Sequence, residues 1–320
     1  NAFKDMLLLK TVWVIVLDSI GAVTMALNSL FEEFTRFFEE KPEFEYSEEA
    51  SELFFEVRHF LNMYDLIQDN YVIYGEHTDD GFMVKLFCVN PSPCLAGRLE
   101  KGKAAVFFSA TLLPVTYYKE LLSQKDDYAI YIKSPFDSGN RLLAVGYDVT
   151  SRYTRRNETE FLKIKSYIAD ITAQKKGNYM VFFPSYKMMQ DVYEVFAGKA
   201  ADSCEILMQH SNMKEHEREA FLEEFEKERQ GTLVAFCVMG GIFGEGIDLK
   251  NDRLIGAIIV GTGLPQVSDE REILKNYYDE RGLSGFDYAF RYPGMNKVLQ
   301  AAGRVIRTSE DRGVILLLDE

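Results

Sequence analysis

The chain has 320 residues, a formal net charge of −14, 47% hydrophobic residues and 13% aromatic residues. This length allows two or three domains of ordinary size, each with a sizeable core. The acidic balance excludes a protein that coats nucleic acid through a wholly basic surface, although it leaves room for a local positive groove on an acidic body.

The cysteines and the short apolar runs predict a soluble protein of a reducing compartment. None of the four cysteines forms a CxxC pair, which is typical of intracellular proteins. The apolar run at residues 12–17 is too short to span a bilayer and is followed by Asp18. No signal peptide is evident, and the start without Met predicts a piece of a longer protein.

The spacing of the cysteines and histidines predicts no metal site. Cys204 and Cys237 lie in apolar runs, where buried free thiols are expected. Cys88 and Cys94 are six positions apart, so a disulfide or metal role stays open as an alternative. The four histidines lack zinc-ligand spacing; they are His59, His77, His210 and His216.

Residues 1–80 are predicted to form a helical subdomain rich in Phe. Apolar residues recur at helical spacing in residues 22–38 and again in residues 47–70. Ser47 before two glutamates is a suitable helix start. We interpret the phenylalanines as ordinary helix packing, with a clamp or partner surface as the alternative.

Residues 81–134 are predicted to begin a sheet. The runs at residues 82–89 and 104–108 are nearly continuous and apolar, which is typical of parallel strands covered on both faces. Ser109 and Thr111 follow the second run. A hydroxyl pair there either caps a helix or links a phosphate site to a neighbouring element. A helix is predicted at residues 115–122.

From residue 135 to the end, strands alternate with helices, which predicts an α/β domain with right-handed crossovers and a mostly parallel sheet. The predicted strands are residues 142–149, 179–183, 204–208, 232–238, 255–260 and 313–318. The predicted helices are residues 157–174, 185–197, 213–229, 268–281 and 294–307.

Two segments of this domain suit a nucleic-acid backbone. One is a compact basic cluster with an aromatic residue inside it, formed by Arg152, Tyr153, Arg155 and Arg156. This cluster contacts a backbone or is simply solvated, and the sequence leaves both open. The other is Ser185 and Tyr186 at a turn from strand to helix. Ser185 is predicted to cap a helix whose free N–H groups suit a DNA phosphate.

A glycine-rich segment follows the predicted strand 232–238. It contains Gly240, Gly241, Gly244 and Gly246. These glycines let the backbone turn sharply and approach a ligand closely, at the edge where open parallel sheets bind ligands. Glu245 and Asp248 would be held there. The alternative is a flexible surface loop.

Residues 300–307 place an amide and two guanidiniums on one stripe of a predicted helix. Gln300, Arg304 and Arg307 fall within about 60° of one another, opposite an apolar side. Arginine stays charged and binds phosphate through paired hydrogen bonds. The stripe therefore suits charge that develops on a transferring phosphoryl group. An ordinary surface helix is the alternative.

In order and spacing, these segments resemble the late motifs of the XPD/DinG branch of superfamily 2 DNA helicases. The resemblance runs from about residue 82 to the end. Residues 109–111 resemble motif III, residues 182–186 motif IV, residues 244–248 motif V, residues 300–307 motif VI, and residues 313–320 the strand after it. Residues 152–156 resemble a segment at the start of the branch's second motor domain.

The resemblance implies a RecA-like parallel sheet flanked by helices, preceded by a helical subdomain. Residues 135–320 would be motor domain 2, residues 81–134 the end of motor domain 1, and residues 1–80 an arch-like insertion. It also implies an ATP-driven motor, of the kind used in DNA repair, that moves 5′ to 3′ along single-stranded DNA and unwinds duplexes.

The resemblance also assigns roles to single residues. Arg307 would be the arginine finger on the ATP phosphates, with Arg304 beside it, and Gln300 would orient this face or the attacking water. The residues that would couple nucleotide state to the DNA path are Gly244, Glu245, Gly246, Asp248, Ser109 and Thr111. Those that would touch DNA are Ser185, Tyr186, Arg152 and Tyr153.

Two family motifs do not occur in the sequence, the GxxxxGK[ST] phosphate loop and the DExH box. In the family both precede the arch, so the Lys and the Mg²⁺-holding acid would lie outside this chain, which should be inactive alone. An iron–sulfur cluster elsewhere in a parent protein stays open. The expected ligands are ATP with Mg²⁺, single-stranded DNA and 5′-tailed duplex.

The implied location is the cytoplasm, near the nucleoid in a prokaryote, or the nucleus in a eukaryote. Two other functions stay open. One is a catalytically inert RecA-like module that binds nucleic acid or protein. The other is a translocase or nuclease-coupled motor that does not separate strands.

Overall fold

The structure, a computed structural model, describes residues 14–41, 48–79, 81–123, 126–200, 204–244, 249 and 251–320. Contacts divide the chain into two units. The first comprises Asn1–Phe108, Val115–Asp127 and Glu272–Tyr277. The second comprises Ser109–Pro114, Tyr128–Arg271 and Tyr278–Glu320. In the described part of the chain, no helix is both long enough and apolar enough to cross a membrane.

Two helices of the first unit pack through phenylalanine rings. They are α1 (Gly21–Glu40) and α2 (Glu48–Tyr64). Phe54 stacks on Phe31 with ring centroids 5.1 Å apart and meets Phe38 edge-on at 5.0 Å. The predicted helical spacing in these two segments is therefore confirmed, and the described rings serve packing between the helices.

The first unit also holds a three-stranded antiparallel sheet. Its strands are β1 (Val14–Val16), β2 (Tyr71–Thr78) and β3 (Gly81–Cys88), in the order β1-β2-β3. The helical prediction for residues 71–80 is wrong, because this stretch is rich in Tyr, Val and Ile, which favour strands. The expected boundary at residues 80 and 81 falls in the turn of the β2–β3 hairpin, where Gly81 has a φ of +143°.

The parallel sheet predicted for residues 81–108 is also wrong. β3 pairs antiparallel with β2, from Tyr71 opposite Cys88 to Thr78 opposite Gly81. Residues 104–108 form no strand, and Val106 and Phe108 are 81% and 88% exposed. A strand needs a hydrogen-bonding neighbour, and no described strand pairs with this run. This region also contains two helices, α3 (Ser92–Leu99) and α4 (Val115–Leu122), of which α4 lies where it was predicted.

The second unit is built on a six-stranded parallel sheet. Its strands are β4 (Arg141–Gly146), β5 (Asn178–Phe183), β6 (Glu205–Met208), β7 (Leu233–Val238), β8 (Gly256–Val260) and β9 (Gly313–Leu318). Their spatial order is β4-β9-β8-β5-β7-β6. Every residue of β5, β7 and β8 is buried. Continuous apolar runs are what strands covered on both faces require, and the predicted strand positions are confirmed within a few residues.

Five helices are described between β4 and the end of the chain, and the stretch Glu272–Tyr277 of one of them belongs to the first unit. They are α5 (Glu158–Gln174), α6 (Tyr186–Ala200), α7 (Glu215–Glu223), α8 (Asp269–Glu280) and α9 (Tyr292–Ala302). A short π-helix, Asp287–Arg291, leads directly into α9. The prediction for residues 213–229 was too long, since α7 gives way to a 3₁₀ turn at Glu224–Glu226.

Successive side chains of a strand point to opposite faces of the sheet, so alternate residues pack in two separate cores. Val181 and Phe183 of β5 pack with α5 and α6, whereas Met180 and Phe182 pack with α7 and α9. The sheet is therefore a central layer with helices on both faces. Because the strands are parallel, the segments that follow β5, β6, β7 and β8 all lie at one edge.

Candidate functional site

The helix that carries Gln300 ends before it reaches the two arginines. α9 stops at Ala302, and Gly303, Arg304 and Val305 lie in turns with weakening backbone bonds. The predicted helix over residues 294–307 is confirmed as far as Ala302 and wrong beyond it, so the single stripe that would carry both arginines is wrong. Glycine is a poor helix former and favours this termination. Gln300 remains on the helix and is half-buried.

A buried carboxylate holds the segment beyond the helix. Asp311 Oδ2 accepts hydrogen bonds from the backbone N–H groups of Arg307 and Thr308, each at 2.7 Å. Asp311 Oδ1 accepts from the Thr308 hydroxyl at 2.7 Å and from the Asn251 N–H at 3.0 Å. These N–H groups point to Asp311 instead of to helical carbonyls, which explains why the helix does not continue.

The charge of Asp311 is stabilised despite its burial. Burial by itself would raise the pKa of this carboxyl, but the hydrogen bonds from Thr308 and from the backbone N–H groups outweigh it, so the pKa lies below its ordinary value. The Arg307 side chain is exposed. Its backbone is thus fixed by Asp311. The sequence did not single out Asp311 as a site residue. The only signal for it is an acidic side chain just before the predicted strand at residues 313–318.

Arg304 joins this segment to the glycine-rich segment after β7. Its Nη2 donates a hydrogen bond to the Gly244 carbonyl at 2.8 Å. A Cβ at Gly244 would lie 3.0 Å from the Gly240 nitrogen and 3.2 Å from the Gly241 oxygen. Only glycine fits there without moving backbone. Glu245, Gly246 and Asp248, the other predicted coupling residues of this segment, lie outside the described residues.

A lysine occupies the space beside two further glycines. Gly240 and Gly263 follow β7 and β8 with φ values of +69° and +64°. A Cβ at Gly240 would meet the Lys297 side chain at 3.1 Å, and one at Gly263 would meet it at 3.5 Å. Burial and the nearby Arg271 lower the pKa of Lys297. Two cations therefore stand close together at this edge of the sheet.

Ser185 and Tyr186 lie at the same edge, after β5. Ser185 Oγ accepts a hydrogen bond from the Met188 N–H at 3.3 Å, so the predicted helix cap is confirmed. The Tyr186 hydroxyl accepts from Gln209 Nε2 at 2.9 Å, and Gln209 Oε1 accepts from the Val238 N–H at 2.9 Å. Gln209 is 1% exposed and ties the ends of β6 and β7 to the start of α6.

Gln209 was missed by the sequence reasoning. It follows an apolar strand-like run, which is the only local signal for it. Beside it lies an open groove of about 530 Å³. The lining residues are Tyr186, Lys187, Met189, Gln190, Met208, Gln209, His210 and Ser211. The groove combines an aromatic ring, a lysine and amide groups, which suits a chain of bases and phosphates.

The predicted basic cluster is partly neutralised. Arg152 Nε lies 3.2 Å from Glu320 Oε1, and Arg155 Nη1 donates to Glu320 Oε2 at 2.6 Å. Arg156 lies over the Tyr153 ring, 5.5 Å from its centroid. Tyr153 is 82% exposed. The exposed ring is available for stacking, whereas two of the three guanidiniums already have a carboxylate partner.

Ser109 and Thr111 form a local turn. Their hydroxyl oxygens are 3.2 Å apart, and Ser109 Oγ also accepts from the Thr111 N–H at 3.2 Å. α4 begins only at Val115. This hydroxyl pair therefore does not cap the helix, so that alternative is wrong.

The site residues fall at two ends of the sheet. Tyr186, Gln209 and Lys297 lie at the carboxyl ends of the strands. Val305, between the two arginines, packs at the opposite end, where a Cβ at Gly313 would lie 2.3 Å from it. Helix α9 spans the distance between these ends. Among the described residues, no three His, Cys, Asp or Glu side chains are arranged to hold a metal ion.

Comparison with known proteins identifies the relatives of this architecture. Residues 168–320 match the helicase C-terminal domain family. The chain is 26% identical over 224 residues to the ATP-dependent DNA helicase XPD of Sulfolobus acidocaldarius, covering 67% of this chain and 38% of that protein. It is 24% identical over 268 residues to the bovine regulator of telomere elongation helicase 1, covering 75% and 22%. The chain thus spans less than half the length of these relatives.

Solved structures show the same fold. An apo XPD structure superposes with a TM-score of 0.58 at 19% identity, covering 84% of this chain and 53% of that one. The Xpd4 structure from S. tokodaii superposes with a TM-score of 0.58 at 16% identity, covering 100% and 60%. The predicted fold, a RecA-like α/β sheet preceded by a helical region, is confirmed.

Proposed function

We propose that this chain, which is the C-terminal region of an XPD-type superfamily 2 helicase, works as part of an ATP-driven motor. The motor would move 5′ to 3′ along single-stranded DNA and separate the strands of a duplex. The observation that carries the proposal is the hydrogen bond from Arg304 to the Gly244 carbonyl. It joins the arginine segment at one end of the sheet to the loop that follows β7.

From that loop the connection continues to the groove. Gly244 donates its N–H to the Gly241 carbonyl at 2.8 Å, and Gly241 donates to Val238 at 3.1 Å. Val238 in turn donates to Gln209, which donates to Tyr186. A change at Arg304 can therefore be passed on to the groove through a chain of direct bonds. Such a route is what coupling of nucleotide state to a DNA path requires.

At the arginine end, the chemistry fits a triphosphate. A guanidinium forms paired hydrogen bonds with phosphate oxygens and keeps its charge. Arg307, exposed and fixed by its backbone, would be the finger that stabilises negative charge on the transferring phosphoryl group. Arg304 would sense the same phosphates, and Gln300 would orient the attacking water. Bound ATP with Mg²⁺ supplies the phosphoryl group itself.

At the groove end, the contacts would be to backbone and stacked bases. The Ser185-capped start of α6 offers N–H groups to a phosphate, and Lys297 adds a positive charge at that edge. Tyr186 and Tyr153 offer rings for stacking. A motor must step past any base, so binding should be independent of sequence and strongly dependent on salt. Ser109 and Thr111 would link the nucleotide site to the DNA path by contacting a neighbouring segment of the motor.

The remaining parts follow the family order. We assign the two helices within residues 1–80 to an arch-like insertion, the region from the β2–β3 hairpin to residue 134 to the end of motor domain 1, and residues 135–320 to motor domain 2. Two exposed apolar runs support the assignment of the region up to residue 134 to motor domain 1. Val106 is 81% exposed and Phe108 88%, and Ile130 and Ile132 are 85% and 89% exposed. We interpret both runs as strands of a sheet completed by residues outside this chain.

A second function is favoured by one observation, the absence of a phosphate loop and a DExH box from this sequence. If the full-length protein also lacks the phosphate loop and the DExH box, it would be an inert RecA-like module that binds DNA or protein. The two functions differ in one result. DNA-stimulated ATP hydrolysis by the full-length protein supports the motor, and unwinding of a 5′-tailed duplex separates a helicase from a translocase.

The decisive experiment is Arg307→Ala in the full-length protein, with Arg312→Ala as the matched control. Arg312 is exposed and lies five positions away. The Arg307 variant should lose DNA-stimulated ATPase by on the order of 10³-fold, with the Arg312 variant unchanged. Near wild-type turnover of Arg307→Ala would remove Arg307 from the site.

A further inference from the structure

Two cysteine thiols meet around one buried amide in the first unit. Cys88 ends β3 and Cys94 lies in α3. Asn70 Nδ2 is 3.9 Å from Cys88 Sγ and 3.6 Å from Cys94 Sγ. The Tyr71 hydroxyl lies 3.9 Å from Cys94 Sγ. The strand end and the helix thus bring together two thiols that are six positions apart in sequence.

The two thiols share the same polar neighbours. Both sulfurs lie no more than 3.9 Å from Asn70 Nδ2, and the Tyr71 hydroxyl contacts the Cys94 sulfur. Both cysteines are free and only partly buried. Two free thiols around one amide differ chemically from two isolated ones, because oxidation of either sulfur leaves a resolving thiol nearby.

The backbone around the pair is held by a network of hydrogen bonds. Asn70 is 2% exposed and donates from Nδ2 to the Asn90 carbonyl at 2.7 Å. Asn90 Oδ1 accepts from the Ser92 N–H at 2.9 Å, and Ser92 Oγ donates to the Ser123 carbonyl at 2.9 Å. This network fixes the turn between β3 and α3. The network therefore places both sulfurs beside the same Asn70 amide.

The other two cysteines lack this arrangement. Cys237 is fully buried in the centre of the sheet, and burial raises the pKa of its thiol. Cys204, just before β6, is partly buried. Neither has a second cysteine beside it among the described residues. They supply internal references for the reactivity of thiols outside the Cys88–Cys94 pair in the same molecule.

We propose that Cys88 and Cys94 form a redox-active dithiol, which a hydroperoxide oxidises to an intramolecular disulfide. In the first step, one sulfur attacks the peroxide, the O–O bond breaks, water (from hydrogen peroxide) or an alcohol (from an organic hydroperoxide) leaves, and a sulfenic acid forms. In the second step, the other sulfur attacks the sulfenic sulfur, the S–S bond forms and a second water leaves. The two thiols lose two electrons, and the peroxide gains them.

The thiolate is the nucleophile in the first step. The two cysteines are both partly buried, so either sulfur can attack the peroxide, and the other then resolves the sulfenic acid. The disulfide would tie the end of β3 to α3. This inference is independent of the proposed motor function.

The test measures the oxidation of the wild-type chain by stoichiometric hydrogen peroxide. Trypsin releases residues 86–98 as one peptide that contains both cysteines. After oxidation this peptide should resist alkylation, have lost the mass of two hydrogens and return to two alkylated cysteines with dithiothreitol. Cys204 should still be alkylated at the same time. Non-reducing electrophoresis should show a monomer, since the bond is internal.

Single variants test the sulfenic acid step. In Cys88→Ser and in Cys94→Ser, the sulfenic acid on the remaining cysteine has no partner and should be trapped by dimedone. Cys204→Ser is the control and should leave the internal disulfide unchanged. The proposal is overturned if residues 86–98 of the wild type still carry two alkylated cysteines after oxidation, or if they carry sulfinic acids instead of a disulfide. It is also overturned if their thiols are lost no faster than the thiol of Cys204. This wild-type readout does not depend on how the variants fold.

Discussion

The backbone N–H of Arg307 donates a 2.7 Å hydrogen bond to the buried carboxylate of Asp311. Asp311 accepts further hydrogen bonds from Thr308 and from Asn251, which lies 60 positions earlier in the chain. One side chain thus connects the segment of the proposed finger to the turn before β8. Asp311 acts as a positioning residue, since it reaches Arg307 only through the backbone.

Asp311→Asn should destabilise the chain. The variant amide can accept at one atom only, so at least one of the donors on the second oxygen loses its partner in a buried site. We expect the free energy of unfolding to fall by roughly 1–3 kcal/mol, measured by urea denaturation. Asp252→Asn, at an exposed position of the neighbouring 3₁₀ turn, is the control. Equal stability of Asp311→Asn and wild type would contradict the role given to this carboxylate.

The same carboxylate predicts a pH dependence. The pKa of Asp311 is lowered in the folded chain, so the unfolded chain binds its proton more readily. Its contribution to stability is complete above the ordinary Asp pKa of about 3.9, and it is lost as the pH falls through the lower folded value. Urea unfolding between about pH 5 and pH 2 should therefore show the gap between wild type and Asp311→Asn narrowing with acid. A constant gap across this range would refute the prediction.

Gly244→Ala should damage the link between the arginine segment and the sheet. The new Cβ would lie 3.0 Å from the Gly240 nitrogen, and backbone atoms cannot move aside cheaply. The Gly244 carbonyl should shift away from Arg304 at a cost of about 1–3 kcal/mol in stability. Gly231→Ala, where a Cβ has no neighbour within 4 Å, is the matched control.

In the full-length protein, Gly244→Ala should also reduce the stimulation of ATPase by DNA more than the basal rate. The reason is that the bonded route from Arg304 to the groove passes through this carbonyl. Equal loss of basal and stimulated rates would mean that the residue serves stability alone.

Tyr186→Ala should weaken binding of single-stranded DNA by roughly tenfold, because one stacking surface in the groove is lost. Tyr186→Phe keeps the ring but not the acceptor for Gln209, so it should retain most of the affinity. Tyr147→Ala removes a ring that is 80% exposed and lies outside the groove. Fluorescence anisotropy with a short oligonucleotide measures all three. If Tyr147→Ala weakens binding as much as Tyr186→Ala, the groove is not the DNA path.

Much of the second unit could be predicted from local pattern. β5, β7 and β8 read as continuous apolar runs because each residue in them is buried on one face or the other. Ser185 could be assigned as a cap because the cap forms within three positions. In both cases the signal and the structure lie in the same short segment.

The first unit shows where local pattern was insufficient. The runs at residues 82–89 and 104–108 have similar composition, yet the first is a hairpin strand and the second is exposed without a partner. A run becomes a strand only when a neighbouring strand forms hydrogen bonds with it, and the composition of the run does not show whether such a neighbour is present. The same limit applies to Cys88 and Cys94, whose contact depends on Asn70 and Tyr71 from the adjacent strand region.

The sequence by itself determined the parallel sheet, the order of its helices and the residue types at the two ends of that sheet. The tertiary structure alone decided that α9 ends at Ala302, that Asp311 holds the backbone of Arg307, and that Gln209 links Tyr186 to Val238. The periods of a helix or strand repeat along the chain and can be read from it. A buried hydrogen bond between distant residues exists only after the strands have fixed their register, because a shift of one residue would remove the partner.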